Sequence, residues 1–375
     1  MSVEESGPEA EVPPEAFETR IVDVDFHMNP AEEVLLEYVD DGTVREKLTT
    51  EFGMTPRKGK WDAAYAIKGG NEGLFTQGRA QTPADVREAA RTFAIDEPVV
   101  NAGINNLPTQ HHPVLKNAVA GAANDWLLDA VVPEDLHCLM MLPQWDPEFA
   151  VEEIERVGDE RGIVGAYGWF GPFRLFGTTD FDPVFEALEA NDLPLFLHGS
   201  LSFWPQNTPV GDGTYTWTEI LGFDWPVHAQ MTTVNMIMSG VFDRFPDVQV
   251  VIQEGGHWWL PFLRYRMDEF YEMHPEDVAI TPRKFEAGER YLDRSPSEYL
   301  RDNVNVCTQP MAPPDRSGEL RNLLELSMAA DTFLYSSDWP HQTLDPATWA
   351  FDNPAIDDEL RDAILHGNAE RLLGI

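Results

Sequence analysis

Residues 20–30 read RIVDVDFHMNP, a short apolar run (Ile21, Val22, Val24) that ends in Asp25-Phe26-His27. In a β-strand successive side chains point to opposite faces, so residues two apart share a face. Asp25 and His27 are therefore expected to project together from the carboxyl end of a first strand. A carboxylate and an imidazole held side by side make half of a divalent-metal site. Asp-x-His also arises by chance, and its meaning depends on what stands at the ends of the other strands.

Seven further apolar runs follow: Glu97–Val100, Cys138–Leu142, Ile163–Tyr167, Leu195–His198, Val248–Ile252, Val304–Cys307 and Phe333–Ser336. They are mostly continuous rather than alternating, which suits parallel strands covered on both faces. Between them lie amphipathic stretches, Pro113–Leu128, Pro147–Arg156, Thr179–Glu189, Val227–Phe245 and Ser317–Ala329, several of them opened by Asp-Pro or Ser-Pro breaks. Strand and helix in repeated alternation predict a single α/β domain, a (β/α)8 TIM-type barrel. An open doubly wound sheet fits less well, because no G-x-G-x-x-G follows any strand. Residues Asn29–Ala94 depart from the alternation and are expected to form an insertion over the C-terminal face of the barrel. The turn- and aromatic-rich stretch Trp204–Trp225 reads as a second lid.

The chain has 375 residues, 43% of them hydrophobic, with 11 Trp and 21 Phe, enough to bury a large core. No run of about 18 apolar residues occurs, so no transmembrane helix is expected. Residues 1–17 are acidic and Pro-rich, without the basic and apolar regions of a signal peptide. They read as a disordered lead-in to a barrel over residues 18–375, in a cytoplasmic protein. Cys138 and Cys307 each sit in an apolar run and are expected to be buried thiols rather than a disulfide or a zinc site. Against 26 Lys+Arg stand 65 Asp+Glu, a formal net charge of −39. That excludes the basic face that nucleic acids and anionic membranes require. The acids are spread along the whole chain, and self-repulsion of this size is relieved by salt. A salt-adapted, halophilic protein is the expectation.

The other half of the metal site appears downstream. The fifth run ends in PLFLHGS, placing His198 at a strand end, and the eighth leads into LYSSDWPHQ, placing Asp338 just beyond one. Active sites of such barrels are built from strand ends. Taken singly, His198 reads more readily as a satisfied core histidine and Asp338 as a turn cap. Asp25, His27, His198 and Asp338 together, at the ends of strands one, five and eight, make a set for one Zn²⁺, or Mn²⁺ or Fe²⁺, with an open position.

D-x-H on the first strand, PLFLHGS, GVFDRFPDVQVVIQEGGHWWLPFLRYRMDE at residues 240–269, YSSDWPH at 335–341 and the closing HGNAERLLGI resemble the amidohydrolase-related family. This is the branch of the amidohydrolase superfamily that includes aminocarboxymuconate semialdehyde decarboxylase and the resorcylate-type decarboxylases. The resemblance implies that Asp25, His27, His198 and Asp338 are metal ligands. It also implies a small-molecule substrate and a homodimer. Binuclear members use a carboxylated Lys at the end of strand four, where this chain has GIVGAYGWFGP and no Lys, so a single metal is expected. Decarboxylase members carry a catalytic His at the end of strand six, where this chain has Glu254, with His257 three residues on. That departure points toward hydrolysis.

Glu254 reads as a general base or a partner of the metal water if burial raises its pKa, and equally as a carboxylate orienting a ligand histidine. His228, at the start of the helix before strand six, is placed to touch substrate, and His341 to orient Asp338 or touch substrate. His111, His112, His137, His274 and His366 read as surface or core. Trp169, Trp204, Trp225, Trp258 and Trp259 suggest an aromatic rim for a planar substrate. Arg174, Arg264 and Arg266 are candidate cations for a substrate carboxylate. The expected function is a mononuclear metal-dependent hydrolase of small cyclic or aromatic carboxylic derivatives. Metal-activated water is its nucleophile, and Asp338 carries the proton. The alternative is non-oxidative decarboxylation of a hydroxyaromatic or unsaturated carboxylate, with Asp338 protonating the ring carbon. A metal-free barrel serving as a binding or scaffold protein is the reading from another class.

Overall fold

Residues rich in Val, Ile, Leu and Phe, buried on both sides, form eight strands in the computed structural model. They are β1 (Val22–Met28), β2 (Glu97–Ala102), β3 (His137–Met141), β4 (Ile163–Trp169), β5 (Leu195–His198), β6 (Val250–Gln253), β7 (Val304–Cys307) and β8 (Phe333–Leu334). All neighbouring pairs are parallel, in the order β1 to β8. The ring is closed by the chain beyond β8: Val24 N–H donates to Tyr335 O, His27 N–H to Trp339 O and Asp338 N–H to Asp25 O. The result is the expected (β/α)8 barrel. The structure describes residues 19–48, 81–104, 107, 113–171, 175–199, 216–274, 292–341, 343–353 and 356–375. The expected lead-in at 1–17, residues 49–80 of the first lid and residues 204–215 of the second lie outside the described residues.

Helices α1 (Glu32–Glu37), α2 (Gly42–Lys47) and α3 (Pro83–Thr92) occupy the described part of the first insertion. Around the barrel follow α4 (Pro113–Trp126), α5 (Pro147–Val157), α6 (Asp182–Ala190), α7 (Trp225–Met238), α8 (Leu260–Met273), α9 (Pro296–Asp302) and α10 (Ser317–Leu326). The Asp-Pro and Ser-Pro signals act as expected. Asp146 accepts from Phe149 N–H at the start of α5, and Ser295 with Glu298 makes a capping box on α9. The stretch Val227–Phe245 does not form one helix. Gly240 takes φ +65° and ends it, and Val241–Arg244 makes a separate turn. Strand β6 starts at Val250 rather than Val248, and β8 has only two ladder residues before the chain turns inward as Tyr335–Asp338. Cys138 and Cys307 are buried free thiols. Among the described residues no helix is long and apolar enough to cross a membrane.

Candidate metal centre

Strand alternation puts Asp23, Asp25 and His27 on one face of β1, and all three are fully buried. Asn101 on β2 donates from Nδ2 to Asp25 Oδ1 at 3.0 Å. His198 is the last residue of β5, and its Nδ1 donates to the carbonyl of Gly199 at 2.5 Å. That bond fixes the tautomer and leaves Nε2 as a bare lone pair. Gly199 is required here, because a Cβ would lie 2.3 Å from the Trp225 ring that packs edge-on against His198. Asp338 sits in the turn after β8 at φ +64°, a conformation that a non-glycine residue adopts only when its surroundings impose it. Its carboxylate accepts from His341 Nδ1 at 2.5 Å, Gln309 Nε2 at 3.2 Å and Thr343 Oγ1 at 2.5 Å.

These elements bring one ligand atom each from Asp25, His27, His198 and Asp338 to within 4.8 Å of one another. His27 Nε2 is 3.3 Å from Asp25 Oδ1 and 3.2 Å from Asp338 Oδ1, and His198 Nε2 is 3.7 Å from Asp25 Oδ2. Asp25 Oδ2, His27 Nε2 and His198 Nε2 are buried without a hydrogen bond. Leaving such atoms unpaired costs roughly 1–3 kcal/mol each. Burial and then the charges of Asp338 and Asp23 push the Asp25 carboxyl well above its usual range. Burial and the neighbouring His27 bring His198 down to about 3, so its imidazole is neutral. Neutral imidazoles and crowded carboxylates that converge on one point need a cation, and the N₂O₂ set fits a divalent ion. Among the described residues it is the one cluster of this kind.

The family model described as Amidohydrolase matches residues 22–375. The chain belongs to the amidohydrolase family. It is an enzyme of that superfamily, and curated relatives include gamma-resorcylate decarboxylase of Polaromonas sp. strain JS666, 30% identical over 68% of this chain and 76% of the relative. Gamma-resorcylate decarboxylase of Rhizobium sp. strain MTP-10005 is 29% identical over 68% and 75%. Among solved structures, 5-carboxyvanillate decarboxylase from Novosphingobium aromaticivorans, complexed with manganese and 4-hydroxy-3-methoxy-5-nitrobenzoic acid, superposes with TM-score 0.67 at 20% identity, covering 96% of this chain and 97% of that one. A dihydroxybenzoic acid decarboxylase from Polaromonas sp. JS666, with manganese and 2-nitroresorcinol, gives TM-score 0.63 at 22% identity over 95% and 97%.

In this amidohydrolase Glu254 also reaches the centre. It follows β6 at φ +52°, is 7% exposed, and its Oε2 lies 3.4 Å from His198 Nε2. Burial, then the charges of Asp338 and Asp25, hold its carboxyl well above the usual range. His228 is not in the cluster. It lies buried on the first turn of α7, one turn beyond Trp225, with Nε2 3.4 Å from Asp224 Oδ1. His341 is in contact with the cluster, its ring 4.3 Å from that of His27.

Four members of the expected aromatic rim are described. Trp169 is fully buried among Trp145 and Tyr167, because residue 169 continues the inward face of β4. Trp225 and Trp259 are nearly as buried, and Trp258 Nε1 donates to Met311 O. Trp204 lies outside the described residues. Arg264 donates to Leu326 O and Arg266 pairs with Glu269 on α8, away from the cluster within the same chain; Arg174 lies outside the described residues. His137 pairs with Glu97 and His366 with Glu370, and His274 is exposed, whereas His111 and His112 are not described.

Sequence reasoning missed the partners that hold the ligands. Asn101 and Gln309 carry no local signal, since each becomes relevant only through the closing of the barrel. Thr343 reaches Asp338 from the following turn. Asp23, whose Oδ1 accepts from the N–H groups of Asp25 and Ser337, could have been found by extending the D-x-H alternation backward to D-x-D-x-H.

Proposed function

We propose that the protein is a mononuclear, divalent-metal-dependent decarboxylase that removes CO₂ non-oxidatively from a hydroxylated aromatic carboxylate. The observation that carries this reading is 30% identity over 68% of the chain to a gamma-resorcylate decarboxylase, in a chain whose buried His and Asp donors converge. This makes the alternative reading of the sequence the preferred one over hydrolysis. Mn²⁺ is the first ion to test, because the related decarboxylase structures hold manganese. Zn²⁺, favoured by the donor set alone, is the second.

Asp25, His27, His198 and Asp338 would hold the ion. When bound, it supplies a Lewis acid for the carboxylate and the neighbouring hydroxyl oxygen of the substrate. Asp338 is kept as a carboxylate by three donors. Glu254 Oε2 and the bare Nε2 of His198 are two acceptors at 3.4 Å, which repel unless a proton or a cation lies between them. Glu254 is thus the better proton carrier, in place of Asp338. Its carboxyl proton moves to the ring carbon that bears the substrate carboxylate. The bond from that carbon to the carboxylate then breaks, its electron pair returns to the ring, CO₂ leaves, and water restores the proton of Glu254. Hydrolysis is the second reading, favoured by Glu254 standing where the decarboxylase pattern has histidine.

The test loads metal-stripped enzyme with Mn²⁺ or Zn²⁺ and offers 2,6-dihydroxybenzoate, 2-hydroxybenzoate and a panel of aryl esters and lactones. Stoichiometric metal that is lost in His198→Ala, with metal-dependent CO₂ release, is the expected outcome. Ester or lactone cleavage without CO₂ would move hydrolysis to the front. Absence of metal from both proteins would favour the scaffold reading.

A further inference from the structure

Strand β4 supplies none of the four metal ligands, yet its inner face runs into the metal centre. Trp169 pairs in register with the ligand His198 on β5, and Tyr167, two residues earlier, pairs with Phe196. Residues two apart on a strand share a face, so Tyr167 points into the barrel together with Trp169. Tyr167 is fully buried. The Trp169 ring packs against it at 5.4 Å and 73°, and the His198 ring lies 5.8 Å away at 46°. The layer beneath it on this side of the barrel is apolar. A Cβ on Gly165 would come within 2.9 Å of both Phe196 and Leu139.

The hydroxyl of Tyr167 has different surroundings. After burial, the charges of Asp25, Glu254 and Asp338, in that order, push its pKa well above the ordinary value. Those three carboxylates stand on β1, beyond β6 and beyond β8. A group on β4 that feels all of them reaches toward the middle of the site. A phenol is a hydrogen-bond donor at any ordinary pH.

The charge count says what such a donor would serve. The carboxylates of Asp25 and Asp338 balance a divalent ion, so the loaded centre has no surplus positive charge with which to hold an anion. Asp338 already receives three donors, and Asp25 receives Asn101. An aromatic carboxylate brings a further negative charge close to Glu254. A neutral O–H can meet that charge with a charge-assisted bond and adds no repulsion. We propose that Tyr167 is a substrate-binding residue whose hydroxyl donates to an anionic oxygen of the aromatic ligand. The inference rests on the aromatic-anion reading of the site given above. Tyr167 gives up no proton; it holds the anion while the proton of Glu254 passes to the ring carbon.

The experiment is isothermal titration of the full-length, Mn²⁺-loaded enzyme, wild type beside Tyr167→Phe, with 2-hydroxybenzoate, 2-nitrophenol and phenylphosphonate. The first offers a carboxylate beside a hydroxyl and the second a phenolate alone. The third imitates the tetrahedral anion of ester hydrolysis. Elemental analysis and thermal melting of the same samples follow metal and fold, which the retained ring should preserve. Tyr167→Phe should keep its metal and bind the anions that wild type binds about 10–100-fold more weakly. A loss shared by 2-nitrophenol places the donor on a phenolate oxygen; a loss confined to 2-hydroxybenzoate places it on the carboxylate. If the loss is seen with phenylphosphonate alone and wild type releases no CO₂ from 2,6-dihydroxybenzoate, the decarboxylase reading fails and the role of Tyr167 stands. Equal affinities in the two proteins would overturn the proposal, and with a displaced pH profile would assign the hydroxyl to Glu254. Loss of metal from the variant, or failure of wild type to bind any of the three anions, would overturn it as well.

Discussion

Two carboxylates stand at the mouth of this barrel on non-glycine residues with positive φ, and they are held in opposite ways. Asp338, beyond β8, sits in a net of donors from His341, Gln309 and Thr343. Burial alone would raise its pKa, but His341 and His27 beside it hold it below the usual carboxylate range. Glu254, beyond β6, has no hydrogen-bond donor on its carboxylate among the described residues. Burial and the charges of Asp338 and Asp25 push it up. Depth and backbone strain are alike at the two positions; the donors differ. Proton affinity here is set by what surrounds a carboxyl group, and that separates an anionic ligand from a group able to carry a proton.

The largest effect should come from Asp338→Asn. It keeps the shape of the side chain but removes the charge that faces His27 and the ion. We expect metal to be lost and kcat/KM to fall by more than the ~10–100-fold that removal of an outer partner costs. Elemental analysis beside turnover checks both, and full metal content in the variant would break the assignment of Asp338 as a ligand. Glu254→Gln should retain metal yet lower kcat by about 10²–10⁴, the usual scale for a lost proton-transfer group. If it instead loses metal in proportion to activity, Glu254 is a ligand and the contrast between the two turns disappears. Gln309→Leu removes one donor from Asp338. An activity loss of about 10–100-fold with a weaker grip on metal is expected, measured by competition with a chelator.

The fold was legible because parallel strands covered on both faces read as continuous apolar runs, and Pro at helix starts marked the intervening helices. The strand ends were legible for the same reason: Asp25, His27, His198 and Asp338 each interrupt or follow such a run with a metal-competent side chain. What the sequence concealed depends on closure of the barrel. Gln309 and Asn101 meet Asp338 and Asp25 only because β7 and β8, and β1 and β2, lie side by side. Trp169 was named from aromatic content, which says nothing of direction, although its spacing from Tyr167 already placed both on the inner face of β4. The overlong helix at Val227–Phe245 shows the same limit from the other side. Its apolar pattern runs past Gly240, and only the left-handed backbone there stops it.

The smallest effect concerns the turn that carries Glu254. His257, three residues on, is 1% exposed beside Trp258 and Phe333, and the Cys307 and Met311 backbones near its ring make no well-aligned hydrogen bond with either nitrogen. Burial lowers its pKa from 6.5 to about 3. Between those values the unfolded chain binds a proton at this residue that the folded chain refuses, so stability must fall as pH falls through the window. The slope approaches about 1.4 kcal/mol per pH unit for one proton. Asp23 works the other way: burial raises its pKa to about 7, so its contribution to stability falls as pH rises toward that value. It is present in both proteins when wild type and His257→Leu are compared, so the difference isolates the imidazole. Denaturant melts of the metal-free proteins from pH 6.5 to 4 should show the wild type losing about 1 kcal/mol per unit more than the variant. Parallel curves would mean that His257 finds a proton partner in the folded state. The turn after β6 would then be as well supplied with hydrogen-bond partners as the turn after β8.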